Sequence, residues 1–281
     1  MDGLPQALRR LEGLLLGTLV FATLWADSVA PVRAEPPAVV EVAAASWSGQ
    51  AQTWDMNLYR NGAVRWQNPD WKACTAASTM GMLNLIAYST DEVMSRSGTG
   101  TVDLIWHPDT SYPTQEAILK FERSHMSEGL WVEGSDPHGW RNALNQYGWG
   151  SMNAGVYKDV AYDAFENAAW AVVASLARTH KPVGILGWFG GHAQFVTGYR
   201  VTGGDPRVSN SFTIEGIYLT DPWEPDGIKN QLVTLDTWRN GPDYVRFSRY
   251  WQNDWTARDP IDGQIGSKEW RGKFVIEQPT R

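Results

Sequence analysis

Apolar residues recur at three-and-four spacing in the first half of this chain and at alternate positions in much of the second half. Ala76, Ala77, Met80, Leu83 and Ile86–Ala87 give one apolar face to a helix that the pattern predicts from a cap at Asp70 to about Tyr88. Thr114–Met126 and Gly139–Tyr147 read as two shorter helices, and Asp159–His180 as a longer amphipathic one carrying Phe165, Ala169, Val172–Val173 and Leu176. Leu58–Trp66 reads as an entry strand with a turn at Asn61-Gly62, and Ser95–Tyr112, rich in Gly, Thr and Pro, as a loop. The character then changes. Pro182–Trp188, His192–Val201, Phe212–Thr220 and Asn230–Leu235 read as strands, separated by a turn at Phe189-Gly190-Gly191 and a loop at Val208–Asn210. Helices followed by antiparallel strands predict an α+β fold. Residues 246–262 are aromatic and irregular and show no period.

The first residues have a different logic. Arg9-Arg10 precedes an uncharged, mostly apolar run from Gly13 to Ala26, bounded by Glu12 and Asp27. That is the length of a signal-peptide core and short for a membrane span. Val32-Arg33-Ala34 offers small residues for cleavage, so residues 1–34 are expected to be a signal peptide with Glu35 as the mature start. Residues 35–55, rich in Ala, Val, Ser and Pro, read as a linker, and 56–281 as the folded domain.

The leader carries three positive and three negative side chains, so its removal leaves the net charge at −7. An acidic protein of this kind has no electrostatic footprint for nucleic acid or anionic lipid. Export places the chain in an oxidising compartment, yet it has one cysteine and can form no internal disulfide. Cys74 is therefore a small buried hydrophobe, a residue for pairing between molecules, or a reactive thiol. The sixteen tryptophans serve either as core and loop anchors or as rings lining a groove for a peptide or glycan.

The place of Cys74 favours reactivity. It falls in the first turn of a predicted helix, where unpaired N–H groups carry partial positive charge. A thiol attacks as its thiolate, and such a position favours the anion. Seven residues upstream, Gln67 carries an amide able to donate to a developing oxyanion alongside the Cys74 N–H. His192 opens a strand after two glycines, which allow the chain to pass close to a neighbouring element. Asp221 closes the next strand at Thr220-Asp221-Pro222. If those two strands pair, the aspartate at the end of one reaches the imidazole at the start of the other and orients it. No pair of histidines or cysteines has the spacing of a zinc site, so neither metal nor other cofactor is expected.

Gln67 and Cys74 at the head of a helix, Gly191-His192 opening a strand, and Tyr218-Leu219-Thr220-Asp221-Pro222 closing one resemble the papain-like cysteine peptidases. The nearest branch is the bacterial one typified by the leader peptidases of bacteriocin exporters, which cleave after a double glycine. The resemblance spans residues 60–225. It implies a helical lobe carrying Cys74, an antiparallel β lobe carrying His192 and Asp221, and a substrate cleft between them. The chain departs from that branch at Thr75, where glycine usually follows the nucleophile. It departs again at Gln194, which interrupts the apolar run after the histidine.

The function expected is that of a secreted cysteine peptidase, with a peptide or protein as substrate and no lasting membrane association after leader removal. A cell-wall amidase or a transglutaminase-like acyl transferase would use the same residues. A non-catalytic binding module could retain the fold.

Overall fold

The computed structural model describes residues 51–64, 72–97, 104–106, 113–127, 134–223, 227–251 and 269–281. Seven strands form one antiparallel sheet: β1 (Thr53–Asn57), β2 (Tyr157–Tyr162), β3 (Val183–Gly187), β4 (His192–Gly203), β5 (Phe212–Thr220), β6 (Gln231–Thr234) and β7 (Phe274–Pro279). Their order is β2-β7-β3-β4-β5-β6. The long strand β4 organises it. Its first half pairs with β3 from Val196 back to His192, and its second half pairs with β1 from Gly198 to Thr202. Its other edge pairs with β5, interrupted by register shifts between Val196 and Gly198 and between Arg200 and Val201.

Five helices complete the described fold: α1 (Cys74–Ser97), α2 (Gln115–Ser124), α3 (Pro137–Trp149), α4 (Phe165–Thr179) and α5 (Leu235–Asn240). The sheet buries both faces, so its strands contribute alternate residues to two cores. Leu186, Ala193, Phe195 and Val275 join Cys74, Met82, Leu83, Ile118, Trp140 and Leu144 from α1, α2 and α3. Val183, Ile185, Val196, Ile217, Leu219 and Ile276 join Phe165, Val172, Leu176 and Trp238 from α4 and α5. Each such apolar side chain contributes roughly 1.5–3 kcal/mol when fully removed from water. The mixed α+β class expected from the pattern is the class observed.

Several boundaries differ from the sequence reading. The entry strand lies earlier, at Thr53–Asn57 rather than Leu58–Trp66, so part of the expected linker 35–55 is structured. Trp54 Nε1 ties it to the Gly203 carbonyl at 3.0 Å. The turn at Asn61-Gly62 is present, with Gly62 at φ 82°. Helix α1 starts at Cys74, with the Ala73 carbonyl accepting the first helical bond from Ala77 N–H at 2.8 Å, so Ala73 occupies the cap position expected for Asp70. It runs to Ser97, into the stretch read as a loop. It is buried almost all round from Ala73 to Ile86 rather than on one face, because the sheet, α2 and α3 all contact it. Tyr157–Tyr162, read partly as the start of a helix, is β2, and α4 begins only at Phe165. The partner of β2 is β7, more than a hundred residues away and itself unread, so local periodicity carried no sign of the pair. Of the unassigned stretch 246–262, residues 246–251 pack beside β3, where Phe247 bridges to Gly187 and is buried. Among the described residues no helix is long and apolar enough to cross a membrane. The expected leader 1–34, Asp70 and Gln67 lie outside the described residues.

Candidate active site

Helix α1 presents its first residue to the start of β4. With the Ala77-to-Ala73 bond the first in the helix, the N–H groups of Cys74, Thr75 and Ala76 have no acceptor within it, which leaves partial positive charge around the thiol. Two contacts hold the helix against the strand. Ser78 Oγ, one turn in, donates to the carbonyl of Ala193 at 3.4 Å. Gly81 lets the buried Phe195 ring approach, where a Cβ would lie 2.9 Å from its tip.

His192 is the first residue of β4 and is 2% exposed. Its Nε2 lies 2.7 Å from Asp221 Oδ1. Cys74 is the other polar neighbour that acts on the ring. Burial alone pushes this imidazole toward the neutral form. The hydrogen bonds to Asp221 and Cys74, and their negative charge, outweigh burial and raise its pKa from 6.5 to about 10. The imidazole is therefore held protonated at neutral pH, between a carboxylate and a thiol.

Asp221 follows the last residue of β5 and is buried. The predicted strand pair is real: Phe195 of β4 faces Thr220 of β5, which carries the aspartate back to the start of β4. Three donors fix the carboxylate. Besides His192, Oδ1 accepts the N–H of Trp223 at 2.8 Å, an Asx turn across Pro222, and Oδ2 accepts Gln194 Nε2 at 2.8 Å. The same Gln194 amide donates to the Tyr244 carbonyl at 2.7 Å. Gln194 lies two residues after His192, so both side chains leave the strand on one side and meet one carboxylate. Its role escaped the sequence reading, which registered only the break it makes in an apolar run; the two-residue spacing was the available signal.

Glu122 was also missed. It lies in α2, fully buried, and accepts Thr75 Oγ1 at 2.5 Å and Thr79 Oγ1 at 3.1 Å. Burial raises its pKa to about 8, moderated by the two threonine hydrogen bonds, with Asp136 pushing further up and Arg123 pulling down. Thr75 thus occupies its position as the anchor of the first turn of α1.

Aromatic rings surround the imidazole. Trp188 lies 5.5 Å from it, and Trp223 meets it edge-on at 5.3 Å. Trp106, Trp140, Trp238 and Trp270 by contrast are core residues.

Among the described residues, one group has the spacing to hold a cation: His138, Asp159 and Glu269, whose ligand atoms lie within 4.8 Å of one another. Asp159 is already bound by Arg141 at 2.6 Å and by Trp270 Nε1 at 3.2 Å, and the guanidinium charge opposes a second cation there.

The structure thus brings Cys74, His192 and Asp221 together, and adds Gln194 and Glu122 to them. Comparison of the chain with protein-family models, curated proteins and solved structures finds no match to any of them.

Proposed function

We propose that this chain is an exported papain-like cysteine hydrolase that cleaves peptide bonds. The observation that carries the reading is a buried imidazole at the start of β4, hydrogen-bonded to Asp221 and with Cys74, at the head of α1, as its other polar neighbour. An imidazolium beside the sulfur favours the thiolate, the attacking form. In this reaction the Cys74 sulfur bonds to the substrate carbonyl carbon and the carbonyl electrons move to oxygen. The backbone N–H of Cys74 and the side chain of Gln67 receive that oxyanion. Its collapse breaks the C–N bond, and the proton on His192 goes to the leaving amine. Water then attacks the thioester, giving one proton to His192, and the C–S bond breaks to release the acid and restore the ion pair. Asp221, fixed by Gln194 and the Trp223 N–H, keeps the ring in one orientation throughout.

The basic pair, apolar run and small-residue site at the N-terminus support export. The same groups would serve a cell-wall amidase or an acyl transferase, and the exposed rings near His192 suit a binding module. A library of internally quenched peptides, compared between the wild type and Cys74→Ser, separates these. Cleavage lost in the variant supports the peptidase. Cleavage retained in Cys74→Ser overturns the reading, and a library left intact while muropeptides are hydrolysed moves it to the amidase.

A further inference from the structure

We propose that Trp188 and Phe189, in the turn between β3 and β4, form a subsite for a bulky apolar side chain on the amine side of the bond that Cys74 cleaves. This rests on the thiol-hydrolase reading and names what its leaving group carries.

The turn occupies the right place. It ends immediately before His192, and the Trp188 ring lies 5.5 Å from the imidazole and 5.4 Å from the Trp223 ring. In a thiol hydrolase the acyl part stays on the sulfur, while the departing amine takes its proton from the imidazole. Side chains grouped around the imidazole therefore meet the departing part of the substrate.

The turn is also held in a costly form. Trp188 has φ 48° and Phe189 φ 55°, consecutive left-handed residues that are neither glycine nor asparagine. Such a conformation crowds the Cβ against the following carbonyl and is unfavourable for a residue with a side chain. Bonds to a separate segment keep the turn in place. Ser248 Oγ accepts the Phe189 N–H at 2.7 Å, and the Phe189 carbonyl accepts the Trp251 N–H at 2.8 Å. Gly190, at φ 89°, lies so close to Tyr250 that a Cβ would sit 2.3 Å from its ring. Despite this anchoring the two rings are not buried: Trp188 is 40% exposed and Phe189 44%. Strained backbone that ends in exposed aromatic rings beside a reactive imidazole suits a binding surface better than a packing one.

The chemistry of the surface selects the ligand. Arg246 lies over the Phe189 ring at 5.2 Å, but it is ion-paired with Asp243, so the patch offers rings and no net charge. Aromatic and large aliphatic side chains fit that surface, and acidic ones gain nothing from it.

Acyl transfer tests the subsite without knowledge of the natural substrate. The thioester N-acetyl-Gly-Gly-SBn acylates Cys74, expelling benzyl thiol, which takes its proton from His192. An amine acceptor then bonds to the acyl carbon as the C–S bond breaks, and its proton passes to His192. We expect phenylalaninamide to capture the acyl-enzyme at least tenfold better than glycinamide. Trp188→Asn removes the ring and suits a left-handed backbone. It should narrow the ratio to within about threefold while raising the Tm, because strain is relieved. Trp188→Phe, which keeps a ring, should hold most of the ratio. Equal capture of the two amides by the wild type overturns the subsite, as does a ratio that Trp188→Asn leaves intact. Preference for glucosamine over phenylalaninamide overturns the apolar ligand in favour of a sugar. A thioester that the wild type does not consume, or that Cys74→Ala consumes equally, defeats the thiol-hydrolase reading itself.

Discussion

Thr75, the residue after the candidate nucleophile, donates a 2.5 Å hydrogen bond to the buried carboxyl of Glu122 in another helix. The bond fixes the first turn of α1 from below, while Ser78 ties the next turn to β4. The position of the thiol is thus set by polar contacts inside an otherwise apolar core. Thr75→Val, which keeps the shape and removes the donor, should cost about 1–3 kcal/mol in urea unfolding. Thr75→Gly should also loosen the helix start, seen as faster amide exchange at residues 75–77.

Glu122 gives the fold a dependence on pH. Its folded pKa of about 8 lies above the ordinary 4.5, so the folded state holds the proton more tightly than the unfolded one. That contribution is fully present below pH 4.5 and is lost as pH rises through 8. Stability should therefore decline across this window. In Glu122→Gln, which cannot ionise, the decline should be smaller. Tm values of the two proteins at pH 5, 7 and 9 measure the difference. Glu277 is buried and also raised well above its ordinary range, in part by the Glu122 charge, so the difference between the two proteins includes that coupling. Parallel pH curves would show that Glu122 does not ionise in this window.

Gln194 should prove to be a positioning residue. Gln194→Leu leaves Asp221 Oδ2 without its side-chain donor in a buried site, a loss of about 1.5–3 kcal/mol for a hydrogen bond to a charged group. It should also lower kcat more than it raises KM, since the imidazole it indirectly orients acts in the chemical step. An unchanged kcat with lowered stability would make its role structural alone.

The imidazole should govern the reactivity of Cys74. His192→Ala should sharply slow alkylation by iodoacetamide at pH 6, where the wild-type imidazole is charged. Asp221→Ala should fall between the two proteins, because the Cys74 contact to the ring remains. Gln67→Ala should lower turnover by roughly 10²-fold through loss of an oxyanion donor, with alkylation unaffected. Equal alkylation rates in the wild type and His192→Ala would dissolve the pair.

The turn before His192 should tolerate no side chain at its glycine. Gly190→Ala combines an unfavourable φ of 89° with overlap on the Tyr250 ring and should cost about 1–3 kcal/mol or more. Circular dichroism melts give the value, and a neutral substitution would mean that the segment carrying Tyr250 is free to move away.

Local pattern was enough for what is local. Period and punctuation marked α2, α3, most of α4 and the strands β3, β4 and β5, because a helix face or an alternating strand records its burial in adjacent residues. The order of a thiol at a helix start, a histidine at a strand start and an aspartate at the end of the next strand was legible too, since β4 and β5 form a hairpin with a short connection. What depends on distant partners left no such record. β2 and β7 find each other across more than a hundred residues, and Glu122 meets Thr75 across 47. Gln194 reads as a flaw in an apolar strand until the folded chain places Asp221 beside it. Trp188 and Phe189 read as the end of a strand and the start of a turn, and only contacts with residues 248–251 hold them in left-handed backbone beside the imidazole. Residue types and their order came from the sequence; which buried polar groups share a partner was decided by tertiary packing, because a hydrogen bond or ion pair between distant segments has no period along the chain.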